Sequence, residues 1–266
     1  MSKDDVVINH YQKTSLLEEI LAACGTNTPT LDQLSAFDEF HVGRGEATSY
    51  LGILMELTAG MNVLDAGCGA GGAARHMASR YGVNVSGIDL TPSFIDTARQ
   101  LSEITTMEDK TDFVCGSVTD MPFEEAQFDA AYSIHVGMNV SDKTSFYNEV
   151  RRCLKQGGTF AIYDICGHQS QMKFPMPWSA ATEDSAVLAA GDVQALLENS
   201  GFTVIYQEKR REFALESLSK PRAMREAGKL EKAAPPVYME DFAKKTSNLI
   251  DGLDDDVCSP WIFICR

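Results

Sequence analysis

Two aspartates bracket a run of glycines in this chain, and residues of those types at that spacing can bind a charged, ribose-bearing ligand. Asp65 follows the apolar pair Val63-Leu64 and precedes Gly67, Gly69, Gly71 and Gly72; Asp89 closes the next apolar run, Val83 to Ile88. A glycine turn from a strand into a helix lets backbone N–H groups and the helix N-terminus approach a polar ligand closely. The spacing Gly67-x-Gly69-x-x-Gly72 also fits a dinucleotide fingerprint, so the glycines alone leave both readings open. Asp65 shifts the balance. A carboxylate there repels a diphosphate and holds a ligand that carries an ammonium group, while Asp89 stands where a ribose diol is usually bound.

The elements that must position these residues alternate. Strands are expected around 63–64, up to Asp89, and at 112–115, 128–134, 159–164, 202–207 and 261–265. Helices are expected at 73–81, from Thr91-Pro92 onward, at 141–154 and at 192–199. Gln156-Gly157-Gly158 reads as the glycine cap of the helix before it. The connection 173–178 reads as too irregular for core structure, and 208–256 as two helices around Pro235-Pro236. Ahead of the first strand, 8–24 reads as one amphipathic helix or two short ones, 31–45 as irregular chain, and 46–57 as a helix. The order implies an α/β fold with a mostly parallel sheet and helices on both faces. Residues 1–58 would be a helical lid or a cover for one face, 59–266 the ligand-binding domain, with 208–256 inserted before the last strand.

Composition bounds the partners. At 266 residues and 44% hydrophobic, the chain can fill one large core. A formal charge of −15 argues against the phosphate backbone of nucleic acid. No apolar run reaches membrane-spanning length and the N-terminus shows no signal-peptide core. Seven cysteines without a Cys-x-x-Cys pair argue against a disulfide framework or a zinc knuckle and fit a reducing cytoplasm. Cys68 in the glycine turn reads as packing. No His/Glu arrangement has metal-ligand spacing.

Val63-Leu64-Asp65-Ala66-Gly67-Cys68-Gly69-Ala70-Gly71-Gly72, followed by Gly87-Ile88-Asp89-Leu90, resembles the first two motifs of the class I S-adenosylmethionine (SAM) methyltransferases. The resemblance implies a Rossmann-like, seven-stranded sheet with an antiparallel last strand, and SAM as cofactor. It implies cofactor contacts from Asp65, Gly67, Gly69, Asp89 and Leu90. Gly116-Ser117-Val118-Thr119-Asp120-Met121-Pro122-Phe123 resembles the adenine-binding turn, with Ser117 at a position usually acidic and the Val118 N–H facing the ring. Ser133-Ile134-His135-Val136-Gly137-Met138-Asn139, Tyr163-Asp164-Ile165, 174–178 and Asp38-Glu39-Phe40-His41-Val42-Gly43 are similar to a bacterial subgroup of small-molecule methyltransferases, near sarcosine/dimethylglycine and phosphoethanolamine N-methyltransferases.

On that likeness Ser133, Tyr11 and His41 join the cofactor side, His41 closing the lid over the sulfonium. Met138, Asn139, Tyr163, Phe174 and Trp178 line the acceptor side, where Phe174 and Trp178 would make an aromatic wall suited to a quaternary ammonium. His135 is the candidate catalytic residue, as general base or hydrogen-bond donor, with a wall histidine as the plain alternative. No [Asp/Asn/Ser]-Pro-Pro-[Tyr/Phe] sequence is present, which argues against base or amide nitrogen as acceptor. The expected reaction is in-line methyl transfer to a small polar, amine-bearing metabolite. A hydrophobic ring or lipid methylated on carbon or oxygen is the alternative, and a SAM-binding protein without catalysis is the third reading. The sequence leaves a homodimer open.

Overall fold

The computed structural model of the chain describes residues 3–226 and 240–266. One sheet holds β1 (Asn62–Ala66), β2 (Asn84–Asp89), β3 (Thr111–Cys115), β4 (Phe128–Ile134), β5 (Leu154–Gly167), β6 (Val204–Lys209) and β7 (Cys258–Cys265) in the order β3-β2-β1-β4-β5-β7-β6. The first five run parallel, and β7 lies antiparallel between β5 and β6. The chain order reverses at β1, so the crevice between the carboxyl ends of β1 and β4 is the natural ligand position.

Side chains on β1 alternate between two buried layers, as a central parallel strand requires. Val63 packs with Leu51, Ala74, Met77 and Ile95, from α4 (Arg44–Leu54), α5 (Gly72–Tyr81) and α6 (Pro92–Ile104). Leu64 packs on the other side with Phe146 and Val150 of α7 (Lys143–Cys153) and Leu197 of α8 (Ala190–Asn199). Among the described residues, large apolar side chains reach solvent at Ile53 on α4 and at Ile205 and Tyr206 on the outer strand β6.

Three expectations change. The stretch expected to be irregular contains a helix, α3 (Leu31–Asp38), started by a capping box: Thr30 Oγ1 accepts from the Gln33 N–H at 3.3 Å and the Gln33 side chain accepts from the Thr30 N–H at 2.9 Å. Gly157-Gly158 does not cap α7. The helix stops at Cys153, and the glycines sit inside β5 where its register against β4 shifts, with Gly157 at φ 77°. The 173–178 connection is irregular but not peripheral: Met176 and Trp178 are buried in a third apolar cluster with Ile165, Leu249 and Leu253. Helices α1 (Lys3–Tyr11) and α2 (Leu16–Cys24) realise the two-helix option. Helices α9 (Arg211–Glu226) and α10 (Phe242–Asp254) flank Pro235-Pro236, which lies outside the described residues.

The N-terminal helices are fastened to the sheet at the glycine turn. Arg75, on the buried face of α5, donates to Asp38 Oδ2 at 2.7 Å, to Ala70 O at 2.6 Å and to Ala98 O at 3.0 Å. Both members of the ion pair are almost wholly buried, so each depends on the other. Burial pushes the Asp38 carboxyl up, and Arg75 offsets this only in part. Gly72 permits the approach, because a Cβ there would stand 2.5 Å from the Asp38 carbonyl oxygen.

Removing one partner strands the other charge in the core. Asp38→Ala is expected to lower the unfolding free energy by about 4 kcal/mol, read from the urea midpoint at constant slope. A loss under about 1 kcal/mol, the level of an exposed pair, would show that the pair is not desolvated in solution.

Candidate active site

A cavity of about 880 Å³ opens over the carboxyl ends of β1, β2 and β4. That is near the upper end of small-molecule sites, roughly 300–1,000 Å³, and leaves room for a cofactor and an acceptor together. Its wall includes Tyr11, His41, Asp65, Gly67, Gly69, Asp89, Leu90, Ser117, Val118, His135, Met138, Asn139 and Trp178.

Three of the expected residues are not in that wall. Ser133 lies one residue from Tyr132 and Ile134, whose side chains join the α4–α5 layer, so it points to the other face and is buried with its hydroxyl unpartnered. Tyr163 sits beneath the wall, its hydroxyl donating to Val42 O at 3.2 Å, its ring 5.1 Å from that of His135. Phe174 packs against the Met176 cluster, so the aromatic wall reduces to Trp178, whose indole N–H donates to Ser185 Oγ at 3.0 Å.

The glycine turn is organised differently from the expectation that its N–H groups face the ligand. Gly67 and Cys68 donate to Ile88 O at 2.8 and 3.0 Å, Gly69 donates to Asp89 Oδ2 at 2.9 Å, and Gly71 donates to Cys68 O at 2.9 Å. These donors are spent inside the protein, so a diphosphate would meet the turn with few hydrogen bonds to receive. Gly67, at φ 93°, lies against Val136, whose methyl groups occupy the place a Cβ would need. Cys68 is packed beneath the turn, and all seven cysteines are free thiols.

What the turn offers instead is negative charge. Asp65 is 2% exposed and held by the Tyr132 hydroxyl, which donates to its Oδ2 at 2.9 Å. Burial raises its carboxyl to about 7, against the lowering pull of Tyr132 and with the nearby charge of Asp89 adding to the rise. Asp89 is also pushed up by burial, although the Thr91 and Gly69 N–H groups both donate to it at 2.9 Å. Two desolvated carboxyls that form no ion pair among the described residues, with Arg75 acting on Asp65 only through its charge, fit a ligand that brings its own positive charge. SAM does so twice, on its amino group and its sulfonium. Asp65 would hold the ammonium, Asp89 the ribose, and Leu90, Ser117 and Val118 would flank the adenine. Ser117 Oγ is shared locally with Thr119 Oγ1 at 2.8 Å, which limits what it can give the ring.

The acceptor end is built by the loop after β4 and by the chain after α3. His135 takes a left-handed backbone, φ 55°, with its N–H donating to Tyr163 O at 2.7 Å. Burial, with His41 nearby, pushes its imidazole well down, so it is neutral, and its Nε2 has no partner. Lys143 holds the same loop from below, donating to Gly137 O at 2.7 Å and Val140 O at 2.9 Å. Asn139 donates to the Tyr11 hydroxyl at 3.3 Å, tying α1 to the rim. Tyr132, Lys143 and the Asp38–Arg75 pair were not singled out from the sequence. Their only trace there is a polar residue on an otherwise apolar face.

Residues 64–162 match the family described as methyltransferase domain. The O-methyltransferase resE of Aspergillus sclerotiorum is 27% identical over 203 residues, covering 76% of each chain. Sterol 24-C-methyltransferase ERG6B of Gibberella zeae is 36% identical over 115 residues, 43% of this chain and 30% of that one. This chain therefore spans about three quarters of the first relative and under a third of the second. The fold matches phosphoethanolamine N-methyltransferase 2 of Haemonchus contortus with a TM-score of 0.75 at 18% identity, covering 100% of this chain and 60% of that one. The matched domain and the methyltransferases that the chain resembles support a SAM-dependent methyltransferase. The protein is an enzyme of that class, with SAM as its cofactor.

If Asp65 receives the ammonium, it must be ionised to do so. SAM affinity is then expected to fall as pH drops below about 7, by about tenfold per pH unit for one linked proton. Tyr132→Phe removes a bond that lowers the carboxyl, so it should move the midpoint to higher pH. Calorimetric titration with SAM between pH 5.5 and 8.5 checks both; a flat profile in the wild type would remove Asp65 from the ammonium site.

Proposed function

We propose that the protein transfers the SAM methyl group to a hydroxyl of a mainly apolar small molecule. The observation that carries this reading is the acceptor half of the cavity. Val42, Met138, Ile165, Trp178, Leu249 and Ile250 face it, drawn from the α3–α4 connection, the sheet and α10. Apolar walls with a few convergent polar groups select an apolar body with one reactive polar atom. The O-methyltransferase resE aligns over most of both chains, whereas the sterol C-methyltransferase aligns over less than half of either, which supports oxygen as the acceptor atom.

Charge narrows the acceptor further. The described rim carries Asp4, Asp142, Asp251 and Asp254, with Lys3 and Arg44 as its cations. A diphosphate-bearing acceptor would be repelled there. An amine remains the competing acceptor, since the acidic rim would attract an ammonium and the phosphoethanolamine enzyme shares the fold.

His135 stands in the cavity wall with its Nε2 unpartnered, and we assign it to orienting the acceptor as a hydrogen-bond donor rather than to taking its proton. Residues 1–58 act in this reading as the cover of the cofactor, with Tyr11 at its edge. When bound, SAM supplies an activated methyl group; the chain's own task is to align the acceptor in a dry pocket and accept its proton.

The test is a matched panel: apolar phenols and alcohols beside the corresponding amines, with release of demethylated cofactor as the signal. Turnover is expected in the hydroxyl arm. Turnover confined to the amines would overturn the oxygen assignment.

A further inference from the structure

We infer that Glu39 and His41 form a carboxylate–imidazole pair in which His41 Nδ1 is the general base toward the acceptor. His41 Nε2 lies 3.1 Å from Arg44 O, 3.1 Å from Thr48 Oγ1 and 3.7 Å from Glu39 Oε2. A backbone carbonyl and a carboxylate only accept. The Thr48 hydroxyl spends its proton on Glu39 Oε2, so it too presents lone pairs to the ring. All three neighbours ask for a proton on Nε2. The neutral ring then carries its free lone pair on Nδ1, which has no hydrogen-bond partner among the described residues, and His41 stands in the cavity wall.

Glu39 is fit for the supporting role. It is buried, yet three groups besides Thr48 surround it: Ser35 donates to Oε1 at 2.6 Å, His76 Nδ1 lies 3.4 Å from Oε1, and His41 is on the other oxygen. Burial alone would raise its carboxyl, but the bond and charge of His76, the charge of His41 and the Ser35 bond hold it at about 2. It is therefore a permanent anion beside an imidazole that must become a cation. The charged groups around His41 are Glu39, Arg44 and His76, and burial lowers its basicity while Glu39 restores part of it. His135, with its ring centre 6.0 Å away, has no carboxylate among the described residues that raises its basicity.

In the step, the acceptor oxygen forms its bond to the methyl carbon as the sulfur–methyl bond breaks, and that electron pair stays on sulfur as a neutral thioether. The hydroxyl proton passes to His41 Nδ1, and the imidazolium, held by Glu39, later returns it to water at the cavity mouth. A His at this place in the chain had been assigned to the cofactor side on sequence grounds; its hydrogen bonds give it a different task.

The decisive measurement needs no acceptor, and so stands apart from the hydroxyl reading on which the kinetic arm rests. Full-length protein labelled with 15N-histidine and loaded with S-adenosylhomocysteine is titrated by two-dimensional NMR. His41 is expected as the Nε2–H tautomer, and Glu39→Gln should shift its titration down by about one pH unit. A Nδ1–H tautomer in the wild type overturns the assignment even if the variant does not fold, as does a titration that Glu39→Gln leaves in place. With 2-naphthol as the hydroxyl probe, Glu39→Gln should lower kcat ~100-fold without changing SAM affinity, and by more than His135→Gln does. The reverse ranking refutes the pair. Turnover of 2-naphthylamine alone would sink the hydroxyl reading and leave the tautomer to decide the base.

Discussion

The site depends on one ion pair, whose Asp38 reaches the cavity wall. Arg75 and Asp38 are buried together at the junction of α3 and α5, and an unpaired charge there would be unaffordable in energy terms. The pairing fixes where α3 ends. The residues that follow, Glu39 to Val42, are thereby delivered over the glycine turn, where the Asp38 carbonyl oxygen presses on Gly72. A hydrophobic contact could supply the same stability without fixing the register so narrowly. A guanidinium that also donates to Ala70 O and Ala98 O binds three segments in one geometry, which is the kind of specificity a buried polar group can provide.

Electrostatics in the cavity follows from the same closure. With the turn's N–H groups consumed by Ile88 O and Asp89, the opening bend is a place of carbonyls and carboxyls. Tyr132 moderates Asp65 from the next strand, and Thr91 moderates Asp89 from the start of α6. Each carboxyl is partly satisfied by the protein and left with capacity for a cation. That division suits a zwitterionic sulfonium ligand. It would be costly for a ligand that brought more negative charge.

Much of the frame was legible in the sequence because it is written in local signals. The alternation of strand and helix gives a mostly parallel sheet, and the glycine turn with the two strand-end aspartates points to the crevice at the carboxyl ends of its strands. The capping box Thr30-x-x-Gln33 was equally local and was overlooked in favour of the irregular look of the following residues. Gly157-Gly158 misled for a physical reason: a glycine pair after a helix caps it or makes a bulge in the next strand, and only the register of β5 on β4 distinguishes them. The wall residues Ser133 and Tyr163 were misplaced because strand alternation fixes a face only once the neighbouring layers are known. Tyr132 as the partner of Asp65 and His76 as that of Glu39 were beyond reach, since each is brought close by the fold and not by spacing.

The two halves of the cavity come from different parts of the chain, and only one of them lies within the span matched by the methyltransferase-domain family. The cofactor half is made by the carboxyl ends of β1, β2 and β4 and lies within the matched span, residues 64–162. The acceptor half combines the loop after β4, inside that span, with α1, the chain between α3 and α4, and α10, which lie outside it. Strand ends are held by the sheet ladder, so their geometry is set by the fold. Helices added at either end of the chain are held by side-chain packing, which tolerates replacement wherever volume and polarity are kept. The choice of acceptor therefore rests on the segments that a shared domain constrains least. The acid–imidazole cluster of Glu39 and His41 lies in one of them, next to the Arg75–Asp38 anchor that keeps it in register with the crevice at the strand ends.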